Sequence, residues 1–289
     1  MKKTLLSVGL IVASILVHSA EYPVPLGSVA NREIVDDTIE GDGKGGWTDQ
    51  GRDNCLNQFP RGKIALQGIP FEIPEKGNAA IMFKGQKLSK IPELVKDATI
   101  KVPSDAKGTN LYVLACLVWG AAPGADIADI TVKYADGGTD EHRMINGKHV
   151  GGWWMPNNLE KAVVAWKGKN GQGVDVGVYL IPYSPKRATN SPISEIKITA
   201  NENNEGSLAV IGISIGDKTA KDMLPPPVSW ASWEGNGMEG WFTIPAKYDN
   251  AKEPATWEEG FKFFENPAGS LGWTIVNGEN LEFEKAPGK

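Results

Sequence analysis

The fold class is decided by the stretch Ile127-Ala128-Asp129-Ile130-Thr131-Val132-Lys133-Tyr134, in which apolar and polar side chains alternate. Successive side chains of a β-strand point to opposite faces, so Ile130 and Val132 share one face while Thr131 and Lys133 share the other. Asp136-Gly137 follows directly and tolerates the positive φ of a hairpin turn. The stretch therefore predicts a half-buried antiparallel strand that ends in a tight turn.

Similar strands surround this stretch. Ile196 and Ile198 alternate with polar residues in the same way, and Asn146-Gly147 and Asn170-Gly171 offer further turns. No segment shows a persuasive amphipathic-helix periodicity. The strand candidates are 63–66, 79–83, 99–102, 111–119, 127–134, 162–166, 174–181, 193–199 and 208–215. We therefore predict an all-β protein, an antiparallel β-sandwich of jelly-roll type with a short Trp-rich C-terminal extension.

The N-terminus has the pattern of a secretory leader. Met1-Lys2-Lys3 is basic, the run from Leu5 to Val17 is mostly apolar, and small residues follow in Val17-His18-Ser19-Ala20. This pattern predicts a signal peptide over residues 1–20. An uncleaved membrane anchor is the alternative, although the apolar run is short for a span of about 20 residues. We expect a secreted product, extracellular or periplasmic, with no transmembrane segment after cleavage.

Composition divides the remainder into three segments. Residues 21–220 are predicted to form the β-sandwich module, which is long enough for one core. Leu224-Pro225-Pro226-Pro227 lies in a Pro-rich linker at 221–227. Residues 228–289 contain five tryptophans and a hairpin candidate at 274–283, but little aliphatic content. We expect them to be an incomplete Trp-rich β extension, the entrance to a further domain.

The acidic balance of the chain argues against one class of partner. The sequence has 30 Lys and Arg against 35 Asp and Glu, a formal net charge of −5, and loss of Lys2 and Lys3 with the leader makes it more negative. Because nucleic-acid affinity depends on cationic contacts to phosphate, we expect no nucleic-acid partner. His142 and His149 lie near no cysteine pair or carboxylate cluster in the sequence, so a histidine-based metal or triad site has little support.

Cys55 and Cys116 leave two alternatives open. In an exported protein, two cysteines are consistent with one disulfide. Two buried thiols would instead behave as small apolar side chains. The sequence spacing does not show whether the two Cα atoms approach within about 7 Å, as a disulfide requires.

Several ordered motifs resemble a known class of module. They are Gly-Trp-Thr-Asp-Gln-Gly at 46–51, Gly68-Ile69-Pro70-Phe71, Tyr134-Ala135-Asp136-Gly137, the Trp153-Trp154 pair, Ala165-Trp166 and the apolar strand at 208–215. Together they resemble the accessory, carbohydrate-binding-like β-sandwich of secreted bacterial glycoside hydrolases. Residues 268–283 look like the strand pair that precedes a glycosidase barrel. The resemblance implies a sugar-associated module, and the acid and nucleophile of such a barrel have no matching positions in this chain.

The residues themselves also give little support for catalysis. Glycoside hydrolysis normally needs two carboxyl groups about 5–9.5 Å apart across a sugar pocket. The acidic pairs Asp36-Asp37 and Glu258-Glu259 are adjacent, so on a strand they would point apart. No Gly-x-Ser-x-Gly elbow, phosphate loop or nucleotide fingerprint is present in the sequence. We do not expect an enzyme.

Binding of a polysaccharide or glycan is the favoured role. Sugar rings present apolar C–H faces that can lie on an exposed indole, while their hydroxyl groups need amides at the rim. Trp153, Trp154, Asn157 and Asn158 supply both kinds of group in one short segment, and they are the candidate carbohydrate-binding residues. On a strand the two indoles would face opposite sides, so one is expected in the core. Burial of both tryptophans as ordinary core residues is the competing interpretation.

The glycine-rich segment 36–49 is the second candidate site. Asp37, Asp42 and Asp49 could contribute oxygen ligands to a structural calcium ion, which prefers six to eight of them. Lys44 lies in the way of such a site, and the spacing matches no EF-hand. A solvated turn with Trp47 packed beneath it is the favoured alternative. No other cofactor is expected.

Three functional hypotheses remain from the sequence. The first is a noncatalytic carbohydrate-associated sandwich, encoded alone or as the N-terminal fragment of a glycoside hydrolase. The second is a structural or adhesion module of the cell surface. The third is an unfamiliar glycan-active enzyme, which would need two facing carboxylates in a cleft.

Overall fold

The described secondary structure consists of antiparallel β-strands, as the alternating pattern predicts, and one short helix. The computed structural model describes residues 21–37 and 39–224, together with the backbone of strands 229–235, 238–244, 263–265, 271–273, 275–277 and 282–283. The predicted signal peptide and Pro225 to Pro227 lie outside the described residues. The chain divides into two compact units, Met1–Met223 and Leu224–Lys289.

The first unit contains twelve described strands and one short helix. The strands are β1 (Tyr22–Val24), β2 (Gly62–Leu66), β3 (Ile69–Ile73), β4 (Ile81–Met82), β5 (Asp97–Lys101), β6 (Asn110–Val118), β7 (Asp126–Tyr134), β8 (Thr139–Ile145), β9 (Val163–Lys169), β10 (Asp175–Tyr183), β11 (Ile193–Ala200) and β12 (Ser207–Gly216). The helix α1 (Ala220–Met223) is a single turn that crosses the predicted start of the linker. No helix in the described ranges has the length and apolarity needed to span a bilayer.

The larger sheet of this unit has six described strands. Its strands run in the order β1-β12-β6-β10-β9, and β4 pairs with β12 beside β1. Every residue of β6 and of β12 is buried, so both faces of the sheet are covered. The hairpin of β2 and β3 covers part of one face, where Phe71 and Ile73 come close to Gly212 and the Ser214 hydroxyl donates a hydrogen bond to the carbonyl of Pro70.

The smaller sheet has one solvent-exposed face. Its strands run in the order β5-β11-β7-β8, and buried residues alternate with exposed ones along β5 and β8. Ile130, Val132 and Tyr134 of β7 are buried, as the sequence pattern predicts. Asp136-Gly137 forms the turn from β7 to β8, with Gly137 at φ +86°. The sandwich architecture is therefore confirmed, and its jelly-roll type stays a prediction.

Three antiparallel strand pairs are described in the second unit. Its strands are β13 (Ser229–Gly235), β14 (Met238–Ile244), β15 (Phe263–Glu265), β16 (Leu271–Trp273), β17 (Ile275–Asn277) and β18 (Glu282–Phe283). They pair as β13 with β14, β15 with β16, and β17 with β18. The last pair lies within the hairpin predicted at 274–283.

Candidate functional site

A short segment is inserted at one end of the larger sheet, between β6 and β10. These strands pair with each other from Leu111 to Ala115 of β6. Beyond that point Gly151–Met155 lies between them. The Leu117 amide donates to the carbonyl of Gly151 at 2.8 Å, and the Gly177 amide donates to the carbonyl of Trp153 at 2.8 Å. We call residues 151–155 the inserted segment.

Alternation along the inserted segment separates its two tryptophans. Trp153 is 4% exposed, whereas Trp154 is 39% exposed, so one indole belongs to the core and one to the surface. The ring of Trp153 packs against Trp47 at 5.3 Å between centroids and against the edge of Trp154 at 5.9 Å. Trp47 is fully buried, as predicted. The three indoles form a continuous cluster of tilted and edge-to-face contacts from the core to the surface.

A third tryptophan at this end of the sheet is not among the predicted binding residues. The strand candidate 111–119 includes Trp119, but β6 ends at Val118. Trp119 has φ +63° and is 38% exposed. Bulky residues rarely adopt this left-handed conformation, which ends the strand here. The only signal in the sequence is Gly120, a turn residue directly after the apolar run.

The glycine-rich loop 41–51 supplies Gln50 to the same region. The buried carboxylate of Asp36 accepts hydrogen bonds from the amides of Gly46 at 2.9 Å and Gly51 at 3.1 Å. Arg32, also buried, donates to the carbonyls of Gly43 at 3.0 Å and Gly46 at 2.5 Å. These contacts fix the loop on which Gln50 lies.

These elements enclose a cleft of about 380 Å³, which we call the aromatic cleft. Its lining residues are Gln50, Leu117, Trp119, Gly120, Gly152, Trp153 and Trp154. All of them are uncharged, and the side-chain amide of Gln50 adds both a hydrogen-bond donor and an acceptor. The volume lies at the small end of the range for ligand pockets, roughly 300–1,000 Å³. The cleft can therefore take an uncharged ligand that has both apolar faces and hydrogen-bonding groups.

Backbone strain is concentrated around the aromatic cleft. Of the described non-glycine residues, Asp49, Gln67, Trp119 and Met155 have positive φ. Trp119 lines the cleft, and Asp49 and Met155 directly adjoin the lining residues Gln50 and Trp154. For bulky residues such as Trp119 and Met155 this conformation costs on the order of 1–3 kcal/mol and tends to persist at binding sites. Exposed hydrophobic side chains also lie at or beside this cleft. They include Trp119, Trp154 and Met155, of which Met155 is 68% exposed.

The structure separates the predicted binding residues. Trp153 and Trp154 line the cleft, but Asn157 and Asn158 do not. The side-chain amide of Asn157 donates to the carbonyl of Met155 at 3.3 Å. The side-chain oxygen of Asn158 accepts from the amide of Val164 at 2.8 Å, on the outer edge of β9. Gln50 takes the place expected for these amides at the cleft.

The edge of β9 is covered by other amide side chains as well. The side chain of Gln67 donates to the carbonyl of Val164 at 3.4 Å, and that of Gln58 accepts from the amide of Lys169 at 3.1 Å. Asn158 therefore belongs to a set of three side chains that occupy outward backbone groups of Val164 and Lys169 on this strand.

The candidate calcium ligands are engaged in loop hydrogen bonds. Asp37 accepts from the amide of Ile39 at 2.7 Å, Asp42 from that of Lys44 at 2.8 Å, and Asp49 from that of Gly43 at 3.0 Å. Across residues 21–37 and 39–224, no group of three or more His, Cys, Asp or Glu side chains is arranged to hold a metal ion. Hydrogen bonds of this kind, from a carboxylate oxygen to a nearby backbone amide, close turns in the loop.

Both cysteines are free and buried in the structure. Cys55 lies in the loop after Gly51, where its thiol donates to the carbonyl of Arg52 at 2.8 Å. Cys116 lies on β6, near its C-terminal end. Burial raises the pKa of both thiols. The structure thus has the second of the two alternatives, a pair of buried thiols.

His142 and His149 both pack on Tyr183, at the end of β10. The ring of His142 lies 4.9 Å from that of Tyr183, and the ring of His149 stacks on it at 6.1 Å with planes 17° apart. Burial, and then the positive charge of Lys186, lowers the pKa of His142 to about 4. Burial, and then Lys148, lowers the pKa of His149 to about 4. The two imidazoles are therefore neutral at pH 7.

Comparison with protein-family models and with curated proteins gives no match for this chain. The geometry of the aromatic cleft is therefore the basis for a functional proposal.

Proposed function

We propose that the protein is a secreted, noncatalytic carbohydrate-associated module that holds a neutral glycan in the aromatic cleft. The observation that carries the proposal is the pair of partly exposed indoles, Trp119 and Trp154, on one cleft of about 380 Å³. Sugar rings combine apolar C–H faces with hydroxyl groups. Such a ring can stack on an indole while Gln50 and nearby backbone groups meet its hydroxyls.

The charge of the lining favours a neutral glycan over an acidic or basic one. The cleft offers no cationic side chain to a uronic acid or sulfate and no carboxylate to an amino sugar, among the described residues that line it. Burying a charged sugar there would leave that charge without a partner, which is costly. Hexose or pentose polymers without charged groups fit this chemistry.

The concentration of strain supports a binding role over a purely structural one. Left-handed backbone at bulky residues such as Trp119 and Met155 is typical of sites that hold side chains in place for binding. The resemblance to the accessory sandwich of secreted glycoside hydrolases is consistent with this role, and so are the predicted secretory leader and jelly-roll topology.

The test is affinity gel electrophoresis and calorimetry of the full chain with neutral glucans, galactans, mannans and xylans, and with polygalacturonate as a charged comparison. We expect binding to at least one neutral polymer and none to polygalacturonate. Trp119→Ala and Trp154→Ala should each weaken binding roughly 30-fold, about 2 kcal/mol, because each removes a stacking platform.

Met155→Ala is the matched control. It removes a more exposed apolar side chain beside the cleft without touching its lining. An equal loss in this variant would mean that general apolar surface, not indole stacking, carries the binding. Full binding by both tryptophan variants, or no binding of the wild-type chain to any neutral polymer, would contradict the proposed function.

A further inference from the structure

One turn joins the two sides of the aromatic cleft. It runs from Asn146 to Val150 and leads directly into the inserted segment that carries Trp153 and Trp154. The side chain of Asn146 donates to the carbonyls of Ala121 at 2.7 Å and Ala122 at 3.1 Å, just beyond Trp119 and Gly120. Displacement of this turn would therefore move both sides of the cleft.

The turn is closed by His149. Its backbone amide donates to the carbonyl of Ile145 at 2.9 Å, and its Nδ1 atom accepts from the amide of Ile145 at 3.2 Å. A backbone amide can only donate, so Nδ1 must carry no proton. Protonation at Nδ1 would set two N–H groups against each other and remove this hydrogen bond.

The surroundings of His149 offer little compensation for a positive charge. Its ring stacks on Tyr183, whose buried hydroxyl has no hydrogen-bond partner among the described residues. Lys148 and Lys161 disfavour the charged imidazole, and Glu160 is the acidic group that opposes them.

His142 packs against the same Tyr183 and adds to this effect. Its protonation is opposed by burial and by Lys186. The nearby carboxylate of Asp140 already accepts from the Tyr134 hydroxyl at 3.0 Å and from the Lys186 amide at 3.0 Å. Since the charges of His142 and His149 repel each other, protonating one makes the other harder to protonate while the turn stays closed.

We propose that the turn 146–150 holds the two sides of the aromatic cleft together and opens in acid. Protonation of His149 opens the turn and thereby weakens glycan binding in the aromatic cleft. The effect on binding rests on the proposed function, whereas the opening of the turn does not. The pKa of His149 is near 6.5 when the ring is exposed and about 4 in the closed turn. The opening equilibrium should therefore rise on the order of 50-fold between pH 7 and pH 4.5.

The experiment is amide hydrogen exchange by NMR at pH 7.0 and 4.5, corrected for the intrinsic exchange rates. Gly147, Lys148 and His149 have amides that donate within the turn, so their exchange reports its opening. We expect their protection factors to fall at least tenfold in acid. In parallel, the dissociation constant for the best neutral polymer should rise several-fold at pH 4.5.

His149→Asn is the matched variant. The side-chain oxygen of asparagine can occupy the place of Nδ1 and accept from the Ile145 amide, but it does not titrate. Since His142 still titrates in this variant, protection and affinity should fall with acid far less than in the wild-type chain, but not remain constant. The variant also retains Asp49, whose pKa is raised by burial and which directly precedes Gln50 of the cleft. A pH dependence caused by Asp49 would therefore persist in His149→Asn.

Unchanged protection of the turn in the wild-type chain at pH 4.5 would overturn the proposal, and this measurement needs no variant to fold. Acid opening together with an unchanged dissociation constant would overturn the coupling to the cleft. Persistence of the full pH dependence in His149→Asn would overturn the role of His149. A chain that binds no polymer at either pH contradicts the proposed function, and the exchange data then decide the opening alone.

Discussion

The indole of Trp153 packs against that of Trp47, with ring centroids 5.3 Å apart and planes tilted by 59°. This contact joins the inserted segment to the glycine-rich loop, which are far apart in the sequence. Aromatic pairs of this kind add about 0.5–1.5 kcal/mol beyond the area that they bury. The exposed indole of Trp154 therefore rests on a base that is part of the core.

A side chain added at Gly152 should block the aromatic cleft without disturbing the fold. Gly152 lines the cleft, its φ is not positive, and a Cβ atom built there meets no atom within 4 Å. We expect Gly152→Leu to abolish glycan binding in calorimetry while the melting temperature changes little. Gly27→Leu is the control, because its Cβ atom also enters open space but lies outside this cleft. Normal binding by Gly152→Leu would place the ligand elsewhere.

The glycine-rich loop should tolerate no side chain at Gly46. A Cβ atom there would lie 2.6–2.7 Å from the Cβ, Cα and backbone nitrogen of Asp36, so the backbone would have to shift. We expect Gly46→Ala to lower the free energy of unfolding by about 1–3 kcal/mol in urea titrations, as other overpacked sites do. Gly27→Ala should have little effect. Equal stability of the two variants would mean that the loop is not held against Asp36 as described.

His142 should stay neutral until the pH is close to 4. Its folded pKa lies below the ordinary value near 6.5 because burial, and then Lys186, disfavours the charged ring. A histidine of this kind contributes full stability above pH 6.5, and the contribution falls as the pH drops toward 4. Two-dimensional NMR of the imidazole should give the low pKa, and urea titrations should show stability declining across that window. A titration midpoint near 6.5 in the folded protein would contradict the burial of this ring.

The two thiols should be unreactive in the native protein and reactive after unfolding. Both are buried, and burial raises the pKa of each, so little thiolate is present at pH 8. Ellman's reagent should detect no thiol in the native chain and both thiols in guanidinium chloride without reductant. A chain alkylated with iodoacetamide in the denaturant is the control and should give no signal. No reactive thiol in the untreated, denatured chain would reveal a disulfide between Cys55 and Cys116.

Strand alternation accounts for the part of the fold that sequence analysis predicts. Apolar side chains on one face allow β7 and β11 to be predicted from the sequence, and in the structure that face of each strand is buried. β8 is absent from the strand candidates because two of its inward residues, Asp140 and His142, are polar. Buried and exposed residues alternate just as regularly along β8, but the buried positions are not all apolar. The candidates also lack β3, which contains Pro70, a residue that cannot donate to a ladder.

The site was predictable only where it follows a local rule. Alternation on a strand predicts opposite environments for Trp153 and Trp154, and the structure has them. The insertion of residues 151–155 between β6 and β10 depends on pairings such as Leu117 with Gly152, which no local pattern reveals. No local pattern reveals the exposure of Trp119 either, because it follows from the left-handed backbone of that one residue. Asn158 is a similar case, because its partner Val164 lies on another element.

The amide side chains along β9 have a consequence for self-association. An uncovered strand at the margin of a sheet can template the addition of a foreign strand and start a fibril. Asn158, Gln67 and Gln58 already satisfy outward donors and an acceptor of β9. At high local concentration, a neighbouring copy would therefore find some of the backbone hydrogen-bonding groups on this edge already occupied. This favours separate molecules over polymers joined by strand pairing.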